Sequence, residues 1–243
     1  MKKIYVAIPA YTGSITVETA AALTREIYHG MQQGFAFVPE FVPYNPIISY
    51  VRNALCRMFM DSECTDIIFL DADVGFEQGT LCKLASYPVD IVGAVYPHRS
   101  DPLTFPIRYI AERTELRGGS EPGTERILEV EGLPAGCLRI SRNALEVIRA
   151  KFPANVYNDM TGNLTYSYFE FSKERGGFNG EDWHFCLVAR DAGLKVWCDP
   201  EIDMTHTGAK VFKGNLGKHL RGEGRTEEMM ANIMKFAGVK EAA

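Results

Sequence analysis

Residues 65–74 read TDIIFLDADV, an apolar run that stops abruptly at two carboxylates one residue apart, Asp71 and Asp73. The run is rich in Ile and Phe, shows no polar alternation and follows a helix-like segment. That is the pattern of a parallel strand buried on both faces. Carboxylates are costly against such a strand unless they are paired or metal-bound. At its carboxyl end they fall where open α/β sheets bind their ligands. The pattern therefore points to Asp71 and Asp73 holding a divalent cation and part of a nucleotide. The plainer alternative, two loop carboxylates turning the chain before Gly75, has equal standing on the motif alone.

The chain before this run alternates. Ile4–Ile8 reads as a strand stopped by Pro9, and a helix is expected from about Thr16 to Gln33, ended by Gly34. Phe35–Val42 is a second strand. Asn45-Pro46 has the chemistry that opens a helix, which runs through Arg52 and Asn53 to about Asp61. After the central strand come a short helix near Glu77–Ser86 and a strand over Asp90–Tyr96. Such alternation predicts a parallel, doubly wound sheet.

The pattern then changes. Phe105–Ile110 and Ile127–Val130 read as antiparallel strands and Gly136–Ile140 as another, with helices over Arg142–Lys151 and Glu181–Ala192. Phe152–Phe178, rich in aromatics, Gly and Asn, reads as a shaped loop region, and most of Tyr166, Tyr168, Phe169 and Phe171 as core. Short strands are expected at Lys195–Cys198 and Ile202–Thr205, with His206 following. A Gly- and Lys-rich segment over Gly208–Arg225 and a terminal helix over Thr226–Phe236 close the chain. The expectation is one α/β domain in which a Rossmann-like parallel half joins a smaller mixed-sheet acceptor half. Residues 1–98 form the nucleotide-binding half, 99–206 the acceptor half with metal and catalytic elements, and 207–243 a basic loop and terminal helix.

Composition narrows the class. A formal charge of −5 provides no bulk attraction to nucleic acid or anionic membrane. The six cysteines (56, 64, 82, 137, 186, 198) have no paired spacing, which favours free, buried thiols over a disulfide framework or a zinc site. Met1-Lys2-Lys3 precedes too short an apolar stretch for a signal peptide, and no run reaches bilayer-spanning length. A cytoplasmic protein with no membrane partner is expected.

Four groups are candidates to converge on one crevice: Asp71 with Asp73, Glu181 with Asp182 at a helix start, His206 at a late strand end, and the Lys210 and Lys213 segment. Transfer of a sugar from a nucleotide needs cations to stabilise the leaving diphosphate and a carboxylate to take the acceptor's proton. Carboxylate oxygens with one imidazole suit Mn2+, and Mg2+ less well. Glu181 and Asp182 point about 100° apart on a helix, so one of them can face a given atom. Each group also has an ordinary reading. Acidic residues are favourable in any first helical turn, a strand-end histidine is commonly hydrogen-bonded, and Lys210, Lys213, Lys218, Arg221 and Arg225 can form a solvated face.

Taken in order, four motifs resemble the GT-A fold glycosyltransferases, especially their family-2-like branch. They are Arg52-Asn53-Ala54-Leu55, the D-x-D motif Phe69–Asp73, Gly180-Glu181-Asp182-Trp183-His184-Phe185, and Gly193–Trp197 leading through Asp199-Pro200 to His206-Thr207-Gly208. The resemblance spans Ile4 to about Lys213. It implies that Pro9, Ala10 and Tyr11 border the nucleoside and that Arg52 sits near the phosphates. It implies that Asp71 contacts the ribose or metal shell, that Asp73 ligates Mn2+ and that His206 completes the protein ligands. Asp182 would be the base of an inverting enzyme, with Glu181 supporting acceptor or loop contacts. Lys210 would approach the diphosphate, and Gly136-Cys137 would lie under the donor sugar. The basic segment after His206 is closer in style to retaining members, which leaves the anomeric outcome open.

A nucleotide sugar, UDP-linked by preference, is thus the expected donor, and an acceptor hydroxyl the expected partner. A hydroxymethylated base in DNA is one such acceptor, with Arg108, Arg113, Arg117, Lys210, Lys213, Lys218 and Arg221 as a phosphate-binding rim. The alternatives are a nucleotidyltransferase acting on a sugar phosphate and a non-catalytic sugar-nucleotide-binding module. The first is disfavoured because Ala10–Ser14 has one Gly and no Lys or Arg.

Overall fold

Strand β1 (Lys2–Ala10) pairs in parallel with β2 (Phe35–Pro43) on one side and β3 (Asp66–Leu70) on the other. The computed structural model describes residues 1–110, 118–173 and 177–223. All five residues of β3 are buried, as its unbroken apolar run requires. Helix α1 (Val17–Gln32) starts at Thr16, whose hydroxyl accepts from Thr19 N at 3.3 Å. On its inner face the buried carboxylate of Glu26 accepts from Gly79 N (2.5 Å) and Cys82 N (2.8 Å). It thereby satisfies the N-terminus of a short helix that follows the central strand. Helix α2 (Ile48–Met60) buries Val51, Leu55, Cys56 and Phe59. Full burial of a side chain such as Phe59 contributes roughly 1.5–3 kcal/mol.

The chain leaves the large sheet at Asp71. Val74 N donates to Asp71 O at 3.2 Å, and the next strand, β4 (Val74–Phe76), belongs to a different sheet. Asp71-Ala72-Asp73 is therefore a corner between two sheets. Beyond it lie α3 (Thr80–Ser86), β5 (Ile91–Gly93), β6 (Leu128–Val130), β7 (Cys137–Ser141), α4 (Arg142–Lys151), β8 (Val156–Asn158) and β9 (Leu164–Tyr166). They are followed by α5 (Glu181–Asp191), β10 (Val196–Cys198), β11 (Asp203–Thr207), β12 (Val211–Asn215) and α6 (Leu216–Leu220).

Among the described residues the large sheet has seven strands in the order β2-β1-β3-β7-β5-β10-β6. Strand β7 enters antiparallel between β3 and β5, so the parallel start is interrupted at its centre and the sheet is mixed. The small sheet, β12-β11-β4, is antiparallel and carries His206 beside the corner.

Two polar side chains pin these layers. Asn53 on α2 is buried. Its Oδ1 accepts from Tyr168 N (2.9 Å) and Phe169 N (2.8 Å), and its Nδ2 donates to Phe169 O (3.0 Å). Arg142 donates to the carbonyls of Phe59, Met60, Ser62 and Cys64 and lies over the Phe59 ring, closing the end of α2.

Several sequence expectations change here. Phe105–Ile110 forms no strand; it contributes an isolated bridge from Arg108 to Gly132, because Pro106 has no N–H to give a ladder. The Gly- and Lys-rich stretch after His206 holds β12 and α6, whose glycines mask the alternation of exposed and buried residues in β12. The expected terminal helix Thr226–Phe236 lies outside the described residues. Tyr166, Tyr168 and Phe169 are core, whereas Phe171 is exposed and stacks on Phe178. All six cysteines are free and buried, as expected. No described helix is long and apolar enough to cross a membrane.

Candidate active site

The corner after β3, the loop after β1, the start of α2, the start of α5 and the end of β11 enclose a crevice of about 900 Å³. Of the residues singled out from sequence, Pro9, Tyr11, Arg52, Asp71, Asp73, Glu181, Asp182 and His206 all line it. Ala10 is buried beside it, its carbonyl accepting from Gly13 N (2.8 Å) and Tyr44 N (3.3 Å). Gly136 lies behind Asp71: its carbonyl accepts from Asp71 N at 3.0 Å, and a Cβ there would come within 2.5 Å of Asp71 Oδ2 and of the Tyr96 ring. Lys210 is not among the lining residues; it pairs with Asp101 on the surface.

Arg52 is the electrostatic centre. Its side chain is 4% exposed, with Nη2 3.0 Å from Asp71 Oδ1 and Nη1 3.0 Å from Glu181 Oε1. Burial works against its charge, but the carboxylates of Asp71 and Glu181 outweigh it and hold the guanidinium pKa above its usual value. The Glu181 contact falls outside hydrogen-bond geometry. Nη1 thus faces a carboxylate without a well-aligned hydrogen bond, and Nε is a buried donor with no hydrogen-bond partner among the described residues. Asp71 is held from its other side by the Tyr96 hydroxyl, which donates to Oδ2 at 3.3 Å. Burial, with the Asp71 charge added, raises the Tyr96 pKa well above the ordinary phenol, so it stays a donor.

Glu181 and Asp182 begin α5, where Gly180 offers no side-chain cap. Asp182 Oδ1 accepts from Trp183 N at 2.8 Å. Burial raises the pKa of both carboxyls; for each, Arg52 is the main opposing influence. They are therefore stronger proton acceptors than free carboxylates.

Asp73 and His206 meet across the small sheet. His206 pairs with Val74 in the β11–β4 register, and Thr207 N donates to Asp73 O at 2.8 Å. His206 Nε2 lies 3.6 Å from Asp73 Oδ1. At the other ring nitrogen, Nδ1 donates to Pro97 O at 2.9 Å, since a carbonyl can only accept. Burial lowers the His206 pKa, which favours a neutral ring with its lone pair on Nε2, facing the carboxylate. A carboxylate and an imidazole lone pair turned toward one another fit a divalent cation. Asp71 does not join them: its oxygens face Arg52 and Tyr96, and the described residues contain no cluster of three metal-ligating side chains. The fit is for two protein ligands, with the remaining positions open to ligand oxygens.

The cation rim proposed from sequence is largely satisfied internally. Lys210 pairs with Asp101, Lys213 with Glu77 (3.8 Å), Lys218 with Asp203 (4.0 Å) and Arg221 with Glu201 and Glu223 (2.6 Å each). Arg108 bonds Asn179 Oδ1 and lies over the Trp183 ring. Arg113, Arg117 and Arg225 are outside the described residues.

Among the lining residues, Tyr96 and Arg99 had no site role assigned from sequence. Tyr96 is the last residue of the strand read from sequence at Asp90–Tyr96, and its position at that strand's end was an available signal. Arg99 sits in an irregular segment that offers none.

The architecture is a mixed α/β fold, a seven-stranded mixed sheet with a small antiparallel sheet at its corner. The chain is similar to the A197 protein of STIV, with a TM-score of 0.52 and 17% identity over 86% of each chain, a likeness of fold alone. It is more distantly similar to a Drosophila β1,4-galactosyltransferase 7 mutant solved with manganese, UDP-Gal and xylobiose (TM-score 0.46, 14% identity, 93% of this chain and 76% of that one). A third similar structure is S. aureus TarS 1–349 with UDP-GlcNAc (TM-score 0.41, 12% identity, 97% of this chain and 65% of that one). No family model and no curated protein matches the sequence.

Proposed function

We propose that this protein transfers a sugar from a nucleotide-sugar donor, UDP-linked by preference, to an acceptor hydroxyl. The observation that carries the reading is the composition of one crevice: a buried arginine with an unpaired donor, a carboxylate facing an imidazole, and a basic carboxylate at a helix start. An unpaired N–H suits an oxygen-rich ligand, because a phosphate oxygen supplies the acceptor it lacks.

In this reading Pro9, Ala10 and Tyr11 border the nucleoside, and Gly136 serves the donor site by leaving room for Asp71 and Tyr96. Arg52 orients Asp71 toward the ribose and presents its Nε–H to the diphosphate. Asp73 and His206 hold Mn2+, or Mg2+ less well. When bound, the metal neutralises charge on the departing diphosphate. Asp182 takes the acceptor's proton, its raised basicity suited to the task, while Glu181 keeps Arg52 in place. Residues 1–98 then serve the donor and 99–206 the acceptor, and the buried, reduced thiols suit a cytoplasmic setting. The internal pairing of the surface cations favours a glycan or other uncharged hydroxyl compound over a DNA base as acceptor.

The test is release of UDP from a panel of UDP-sugars, with and without Mn2+. The reading expects release from at least one donor, dependent on added Mn2+ and lost in Asp73→Ala. Release that persists in chelator would remove the metal. Failure of every donor, together with no binding of UDP, would remove the function.

A further inference from the structure

Arg99 occupies a place the donor reading does not explain. Its Nη2 donates to Asp73 Oδ2, while the other oxygen of the same carboxylate faces His206 Nε2 at 3.6 Å. Both Arg99 and Asp73 line the crevice and are partly exposed. The guanidinium is held there by construction. Its stem lies across Gly208, where a Cβ would come within 2.8 Å of Arg99 Cδ. The segment carrying Arg99 is fastened to the β11–β12 hairpin on either side of it, by Pro97 O to His206 Nδ1 (2.9 Å) and by Asp101 to Lys210. Further along, the Phe105 ring packs on Gly214 of β12. The clasp sets an internal cation directly on the carboxylate that a metal would need.

We propose that Arg99 is a tethered counter-ion for Asp73, displaced when a divalent cation binds, and that the released guanidinium then pairs with the donor's diphosphate. The inference rests on the donor reading above. Arg99 on Oδ2 and a metal between Oδ1 and His206 Nε2 would set two cations on one carboxylate, so they repel one another and compete for its charge. An ion pair this exposed is weak and yields to a divalent cation, more readily when a diphosphate adds its own oxygens. The stem remains anchored over Gly208, which keeps the displaced fork inside the crevice, where its planar donors match phosphate oxygens bidentately. Arg99 thereby masks the acidic pocket in the empty protein and becomes a donor-binding residue in the loaded one.

The experiment measures Mn2+ binding from the electron paramagnetic resonance signal of the free ion, for wild type, Arg99→Gln and Arg99→Lys, each with and without UDP. Without nucleotide, Arg99→Gln is expected to bind Mn2+ several-fold more tightly than wild type, and Arg99→Lys to lie between them. In saturating Mn2+, UDP is expected to bind Arg99→Gln about tenfold more weakly, the loss of one charge-assisted contact. Equal Mn2+ affinity in all three overturns the displacement, and unchanged UDP affinity overturns the diphosphate role. A wild type that binds neither Mn2+ nor UDP removes the donor reading itself, and the inference with it. Circular dichroism of each variant confirms the fold, which an exposed side chain does not support.

Discussion

Arg52 Nη1 on α2 lies 3.0 Å from Glu181 Oε1 on α5, joining the helix before the central strand to the helix that begins after the aromatic loop. The same guanidinium reaches Asp71 at 3.0 Å, so one buried cation ties the corner after β3 to the start of α5, next to Asp182. Removing it strands two mostly buried carboxylates. Arg52→Met is expected to cost about 3–5 kcal/mol in urea unfolding, and Glu181→Gln in the same chain to recover part of it. Unfolding midpoints that match wild type would show that the carboxylates do not depend on Arg52.

Asn53, the neighbour of Arg52 in sequence, has a different task. It bonds the backbone of Tyr168 and Phe169 at three points and does not line the crevice. Asn53→Ala leaves those groups unpaired in the core and is expected to cost about 2–3 kcal/mol. UDP affinity of the folded fraction should stay at the wild-type level. A selective loss of UDP binding without loss of stability would place Asn53 in the binding machinery instead.

Gly136 gives Asp71 and Tyr96 their positions by being small. In Gly136→Ala the added methyl meets Asp71 Oδ2 and the Tyr96 ring at 2.5 Å, so both side chains must move. Overpacking of this kind costs about 1–3 kcal/mol, and UDP affinity should fall with it. Calorimetric titration showing unaltered affinity would free Asp71 of any role in the donor site.

The pH response of Asp182 follows from its environment. Burial raises its folded-state pKa above the unfolded value, so its ionised form is disfavoured in the fold. Its contribution to stability is fully present below the unfolded pKa and is lost as pH rises through the folded one. Asp182→Asn should therefore gain stability on wild type at neutral pH, with the gap closing as pH falls into the carboxylate range. Transfer, which needs the ionised base, should rise with pH through a value above the ordinary carboxylate pKa and vanish in the variant. A stability gap independent of pH would contradict the assigned environment.

Much of this site was legible in sequence because its residues sit at ends of regular elements. The abrupt stop of an apolar run marked Asp71 and Asp73, and the start of a helix marked Glu181 and Asp182. Their convergence with His206 depends on the chain changing sheets between Leu70 and Val74 and on β11 pairing with β4, and neither register is written in local patterning. Strand β7 entering antiparallel beside β3 is likewise a long-range choice. Arg99 was illegible for a related reason: an arginine in an irregular segment has no periodicity, and its partner is settled by where two loops meet. The lysines after His206 looked like a phosphate rim because the sequence does not show the carboxylates that face them. Those pairings predict little retention on duplex DNA even at low salt, and tight, steeply salt-dependent binding would restore the nucleic-acid reading.

The central claim is that Asp73 and His206 share a cation that a nucleoside diphosphate completes. It is tested most directly by the thermal midpoint of the protein with UDP, with Mn2+, and with both, in wild type and in Asp73→Ala. Ligands that bind the folded state raise this midpoint by mass action. The account predicts a rise for wild type with UDP and Mn2+ together that exceeds the sum of the separate effects, and no such excess in Asp73→Ala. An equal response of the two proteins, or none from wild type, would contradict it.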